Sequence, residues 1–216
     1  MHERQVTIFA WYVLLIWALA QLVSGAGLQP GFFKPASNVV SAAVVLAFVF
    51  DRWMWRWIVF RGWLVKRPDL QGTWRVELQS NWTLPESQAR IAPIEGFLVV
   101  RQTYSRLSMR LLTAESTSRL RGAEITCDAD ELYEVAGVYS NEPKVGVRDR
   151  SPIHNGAISL AVRGTPPTAL EGHYWTDRGT RGELTATSRV AKLFATFQDA
   201  KAALSPPSPT GMAAAS

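Results

Sequence analysis

The stretch that decides the fold is IEGFLVVRQTYSRLSMRLLTAESTSRLRGAEITC, residues 94–127. Its runs 94–102, 106–114 and 119–127 are strand-like, with a period of two that is clearest in 106–114, and small polar residues interrupt the runs. That period belongs to a strand, because successive side chains of a pleated chain point to opposite faces. Within 106–114, Leu107, Met109 and Leu111 share one face, and Ser108, Arg110 and Leu112 share the other. The pattern continues in both directions, at 70–79 upstream and at 131–140, 155–164, 168–177 and 180–189 downstream. Eight strands are expected, spaced by about 8–13 residues with Gly, Pro, Asn and Asp between them, as in an up-and-down antiparallel sheet. So many short strands in roughly 120 residues favour closure into a small eight-stranded barrel, which leaves no edge strand and encloses side chains or one small ligand. An open sandwich is the alternative.

Upstream of residue 69 the pattern is different. Residues 6–23 are apolar apart from Gln21, eighteen residues that reach about 27 Å as a helix at ~1.5 Å per residue, enough to cross a bilayer core. A cleaved signal peptide does not fit. The stretch before it has one Arg and one Glu, and Ser24-Gly25-Ala26-Gly27 leads into a second apolar stretch. This second expected transmembrane helix begins near Ala36, is clearly apolar over 39–50, and continues as DRWMWRWIVFRGWLVKR. Trp53, Trp55, Trp57 and Trp63 interleave with Arg52, Arg56 and Arg61 like an interfacial belt, with indoles at headgroup depth and guanidinium groups reaching phosphate. One long tilted helix with solvent-facing arginines is the alternative. The cations orient the pair: the connection at 24–35 carries only Lys34, whereas 52–67 carries five, so both termini and the barrel are expected on the cytoplasmic side of the membrane.

The chain therefore reads as a two-helix anchor with its juxtamembrane segment (1–68), a barrel domain (69–190), and a terminal part (191–216). In the last, VAKLFATFQDAKAAL is an amphipathic stretch suited to packing on the barrel, and 205–216, rich in Pro, Ser and Ala, reads as disordered. The net charge of +5 resides in the anchor: residues 1–68 hold seven Lys/Arg against Glu3 and Asp51, while 69–190 hold fourteen against fifteen Asp/Glu. A barrel without basic excess is not expected to bind a nucleic-acid polymer. Cys127 is the single cysteine, so no internal disulfide forms.

No catalytic constellation stands out, and the expectation is that the chain is not an enzyme. Asp149, Ser151 and His154 lie close in sequence, but in an expected loop without a nucleophile elbow. Cys127, His154 and His173 lack metal-ligand spacing, and neither a Walker loop nor a dinucleotide-binding glycine motif occurs, so no cofactor or metal is expected.

What does recur is a mixture of aromatic, hydroxyl, amide and Arg side chains in three blocks, 101–118, 139–156 and 173–182. Aromatic rings stack on bases, Arg forms forked bonds to phosphate, and Asn or Thr reads base edges and ribose hydroxyls. From these blocks the candidate ligand-binding residues are Tyr104, Arg110, Thr113, Ser116, Tyr139, Asn141, Arg150, His154, Trp175 and Arg178. Solvent-facing strand positions and ordinary turns would produce the same residue types.

The ordered blocks WLVKRPDLQGTWRVELQSNW (63–82), VVRQTYSRLSMRLLTAESTS (99–118), SNEPKVGVRDRSPIHNGA (140–157) and LEGHYWTDRGTRGEL (170–184), following the hydrophobic anchor, closely resemble the SMODS-associated two-transmembrane, β-strand-rich effectors, also called CD-NTase-associated protein 15. The resemblance covers about residues 1–190. It implies an eight-stranded barrel that binds a cyclic dinucleotide made by a partner nucleotidyltransferase on phage infection. It further implies self-association in the lipid bilayer and loss of inner-membrane integrity, an abortive infection. Two other classes compete: a membrane-tethered lipid-binding barrel, which would want an apolar interior with few arginines, and a scaffold whose barrel docks a protein.

Overall fold

The computed structural model describes residues 34–83 and 89–204. The chain divides into two compact units, Met1–Val65 and Lys66–Ser216. The first expected span, residues 6–23, and the tail at 205–216 lie outside the described residues.

In the first unit, helix α1 (Lys34–Arg52) carries the second apolar stretch. Among the described residues, no helix is long and apolar enough to cross a membrane. The physical reason in α1 is that its apolar run covers only residues 39–50, roughly 18 Å at ~1.5 Å per residue. Val40, Val44, Val45, Leu46 and Phe48 of this run are exposed. The one-long-helix alternative does not hold, because α1 stops at Arg52 and the Trp/Arg run turns through two short 3-10 helices, Met54–Arg56 and Ile58–Phe60. Within that run Trp53, Trp57 and Trp63 are exposed, and the Arg52 guanidinium lies 5.6 Å from the Trp53 ring centroid.

The second unit is the barrel. Its strands are β1 (Gly72–Ser80), β2 (Ile94–Gln102), β3 (Leu107–Thr113), β4 (Ser116–Cys127), β5 (Tyr133–Pro143), β6 (His154–Arg163), β7 (Ala169–Thr176) and β8 (Arg181–Val190). Each pairs antiparallel with the next, and β8 pairs with β1, so the sheet closes. The sandwich alternative is excluded. Alternation puts Trp74, Val76, Val100, Met109, Val135, Leu160, Leu170 and Ala186 inside as one core, each nearly or fully buried. A register shift between Leu120 and Gly122 adds a residue to β4 and keeps Leu120, opposite Tyr139, and Ile125, opposite Val135, both packed on that core.

The end at which the chain enters is closed. Gln102, fully buried at the last position of β2, accepts from the Leu70 N–H (2.8 Å) and donates to the Pro68 carbonyl (2.9 Å). The Trp74 indole donates to the Leu70 carbonyl at 2.9 Å. The amphipathic stretch after β8 packs on the outer wall as expected. Helix α2 (Phe197–Leu204) and the segment before it bring Phe194, Phe197 and Ala200 against Phe97, Val99 and Leu112, the outward residues of β2 and β3. Thr196 caps α2, accepting from the Asp199 N–H at 3.2 Å and donating to its carboxylate at 2.7 Å.

Candidate functional site

The other end of the barrel is open and polar. Here meet the β3–β4 turn, the β5–β6 loop at 144–153 and the β7–β8 turn, and between them lies a cavity of about 560 Å³. Small-molecule sites are roughly 300–1,000 Å³. The floor is apolar, formed by inward leucines and their neighbours: Leu78, Leu98, Met109, Leu111, Leu160 and Leu184. On six strands, β1 and β3 to β7, the inward position or two nearest the mouth changes character, bringing Ser80, Thr113, Ser116, Ser118, Asn141, His154 and Thr176 into a polar ring above that floor.

Two tyrosines stand at the level where floor becomes rim. Tyr139 on β5 pairs with Gly156 on β6, and Tyr174 on β7 pairs with Gly182 on β8. Both glycines are places where a side chain would not fit: a Cβ on Gly156 would lie 2.5 Å from the Tyr139 ring and hydroxyl, and one on Gly182 would lie 2.7 Å from those of Tyr174. Each ring therefore lies across the neighbouring strand's glycine and is held there. Burial pushes the Tyr139 phenol up to about 12, with the Tyr174 phenol and the Asp177 carboxylate adding to the rise. At neutral pH Tyr139 is an uncharged group able to donate and accept.

Asn141, buried opposite Ser118, accepts from its hydroxyl at 2.8 Å, which leaves the amide nitrogen as donor. The cations come from the rim loops. Arg178 donates to the Ser151 hydroxyl at 3.0 Å and stands 3.5 Å from His154 Nδ1. Arg150 is ion-paired with Glu115 across the mouth. Arg148, beside them in the chain, donates to the Pro143 carbonyl (3.1 Å) and pairs with Glu142 at 3.6 Å. Together the floor, the rings, the amide and the guanidinium groups can hold a flat, anionic, partly aromatic molecule.

Seven of the ten residues singled out from the sequence line this one cavity: Thr113, Ser116, Tyr139, Asn141, Arg150, His154 and Arg178. The structure does not bring the other three to it. Arg110 sits on the outer wall, where its guanidinium donates to the Phe194 carbonyl at 2.9 Å; the face it shares with Ser108 and Leu112 is the outward one. Tyr104 belongs to the β2–β3 connection at the closed end, where its carbonyl accepts from Arg67 at 2.6 Å. Trp175 points outward, half exposed at 50%, because its neighbour Tyr174 takes the inward position. Sequence reasoning missed Tyr174, Ser118, Glu115 and Trp82, all of which line the cavity. Counting by twos from Leu170 through Gly172 would have reached Tyr174.

Comparison with known proteins bears on this geometry. The family model of the Cap15 cyclic dinucleotide receptor domain matches residues 65–188, which take in seven strands of the barrel and all but the last two residues of β8. CD-NTase-associated protein 15 of Staphylococcus schleiferi is 26% identical over 181 residues, covering 83% of this chain and 92% of that protein. The family that the ordered sequence blocks resemble is the one that these matches give, and the chain belongs to the Cap15 cyclic dinucleotide receptor family.

Proposed function

We propose that this chain is the membrane-bound effector of a cyclic-oligonucleotide-based anti-phage signalling system. A cyclic dinucleotide enters the open end of the barrel, and its occupancy promotes self-association and disruption of the bacterial inner membrane. The observation that carries the ligand reading is the cavity: a closed apolar floor under two glycine-seated tyrosines, with Arg150 and Arg178 at the rim. A base lies against Tyr139 or Tyr174, Asn141 and Ser118 meet its edge, and the phosphodiesters face the arginines. The barrel needs no basic field, because two placed guanidinium groups match two phosphates.

Support for the membrane part is compositional and local. Residues 6–23 are long and apolar enough to span, α1 exposes Val40, Val44, Val45 and Phe48, and the Trp/Arg run beyond it has the make-up of a headgroup belt. Ligand-driven association of barrels would gather their anchors at high effective concentration, which is how a soluble signal becomes membrane damage.

Calorimetry of the full chain in lipid nanodiscs against a panel of cyclic dinucleotides tests the ligand. At least one should bind, and Arg178→Ala should weaken it roughly tenfold to a hundredfold, the worth of about 1.5–3 kcal/mol for a charge-assisted bond, without lowering the melting temperature. Failure of the whole panel would remove the reading. The lipid-binding alternative draws on the leucine floor; displacement of a fluorescent fatty acid from the cavity, with no response to any cyclic dinucleotide, would favour it instead.

A further inference from the structure

We propose that Glu115 is a built-in stand-in for phosphate: in the resting protein its carboxylate occupies Arg150 at the cavity mouth, and a phosphate of the bound cyclic dinucleotide takes its place. The inference rests on the ligand reading above and assigns a specificity-determining residue within that site.

Four observations carry it. Glu115 lines the cavity, and its Oε1 accepts from Arg150 Nη2. Its position is set by the backbone: it is the second of the two residues that join β3 to β4, the Thr113 hydroxyl accepts from its N–H at 3.3 Å, and its own carbonyl accepts from the Lys144 N–H at 2.8 Å. The carboxylate is thus delivered to the mouth by a turn tied to the strand below and to the loop that carries Arg150. The pair is also easily exchanged, since its side chains are 67% and 55% exposed, and an exposed ion pair is worth about fivefold or less in an equilibrium. Finally, the two mouth arginines differ. Arg178 donates to neutral acceptors, the Ser151 hydroxyl and the Pro152 carbonyl, and keeps its full charge, whereas the charge of Arg150 is cancelled.

The consequence is a threshold. A ligand with one phosphate is satisfied at Arg178 and leaves Glu115 in place. One with two phosphates reaches Arg150 as well, and it must outcompete a carboxylate already there. Removing the carboxylate lowers that threshold and takes a negative charge from beside a dianion.

The test is a double-mutant cycle on the full chain in nanodiscs, titrated with the cyclic dinucleotide that binds best from the panel. Glu115→Gln should tighten binding roughly threefold to tenfold and steepen its salt dependence, because Arg150 is then no longer screened by its own partner. In an Arg150→Ala background the same substitution should gain only about twofold, the part that comes from relieving repulsion between Glu115 and the dianion. Glu142→Gln, which frees Arg148 outside the cavity lining, should also change it less than twofold and controls for net charge. Wild type that binds while Glu115→Gln binds no more tightly overturns the inference alone, as does a gain that persists in full without Arg150. Wild type and Glu115→Gln both failing to bind any cyclic dinucleotide overturns the inference and the ligand reading together.

Discussion

The barrel's two ends are made by the same eight strands and have opposite jobs. At the closed end, polar groups are spent on one another inside: Gln102 ties Leu70 and Pro68 into the plug, and the Trp74 indole bonds to the Leu70 carbonyl beneath the Arg189 guanidinium, 5.0 Å from its ring. At the mouth, polar side chains face a cavity or solvent, and the bonds made by its arginines are exchangeable surface contacts such as Arg178 to Ser151. If the mouth is the ligand site proposed above, the difference teaches that stability and recognition are separated along the barrel axis. A substitution at one end should move one property and leave the other.

The largest effect is expected at the closed end. Trp74→Ala removes a fully buried ring that does not line the cavity, and comparable truncations cost about 3–5 kcal/mol, a large part of a domain's net stability. Urea unfolding of the full chain in nanodiscs should show that loss. Ligand affinity measured on the remaining folded fraction should stay within about twofold. A large affinity loss without a stability loss would break the separation of the ends.

How much of this was legible in the sequence depends on the same axis. Strands whose inward residues are apolar, such as β2 and β7, fall within a residue or so of their expected limits. The errors gather at the mouth. β4 begins at Ser116, not 119, and β5 runs to Pro143, not 140, because inward Ser116, Ser118 and Asn141 resemble turn residues when read without the cavity they face. Seven of the ten candidates line the cavity because their chemistry is unusual for a wall. Arg110 was misplaced for a physical reason: at its depth the interior is the apolar face of β3, Leu107, Met109 and Leu111, and the polar face is outside. Closure alone decides that, and closure is a long-range property.

Arg110 sharpens the comparison from the outer wall. Its bond to the Phe194 carbonyl fixes the segment leading into α2, where Phe194 and Ala200 are buried against β2 and β3. Arg110→Ala should loosen α2 by about 1.5–3 kcal/mol, the range for a hydrogen bond from a charged donor. The reading is faster amide exchange at Ala200, whose N–H bonds to the Thr196 carbonyl, with cyclic dinucleotide affinity unchanged. Loss of binding with α2 still protected would return Arg110 to the site.

The smallest effect concerns Tyr139, which packs on the core and also lines the cavity. Burial, reinforced by Tyr174 and Asp177, raises this phenol to about 12 from the 10.0 of an unperturbed tyrosine. Between those values the folded state keeps a proton that the unfolded chain has released, so the folded state binds more protons and stability must fall as pH rises. The contribution is complete below about pH 10 and lost by the time pH passes about 12. Tyr133, also raised to about 12, and Tyr104 give slopes of the same sign, so the informative quantity is the difference between wild type and Tyr139→Phe. Phenylalanine keeps the ring over Gly156 and removes the titrating group, and the stability of the variant should therefore decline less steeply than that of wild type across this window in urea melts. Parallel curves would mean that Tyr139 is as hydrated as a tyrosine in the unfolded chain. The ring would then have left Gly156, and the floor of the cavity would be open to water where the fold requires it to be closed.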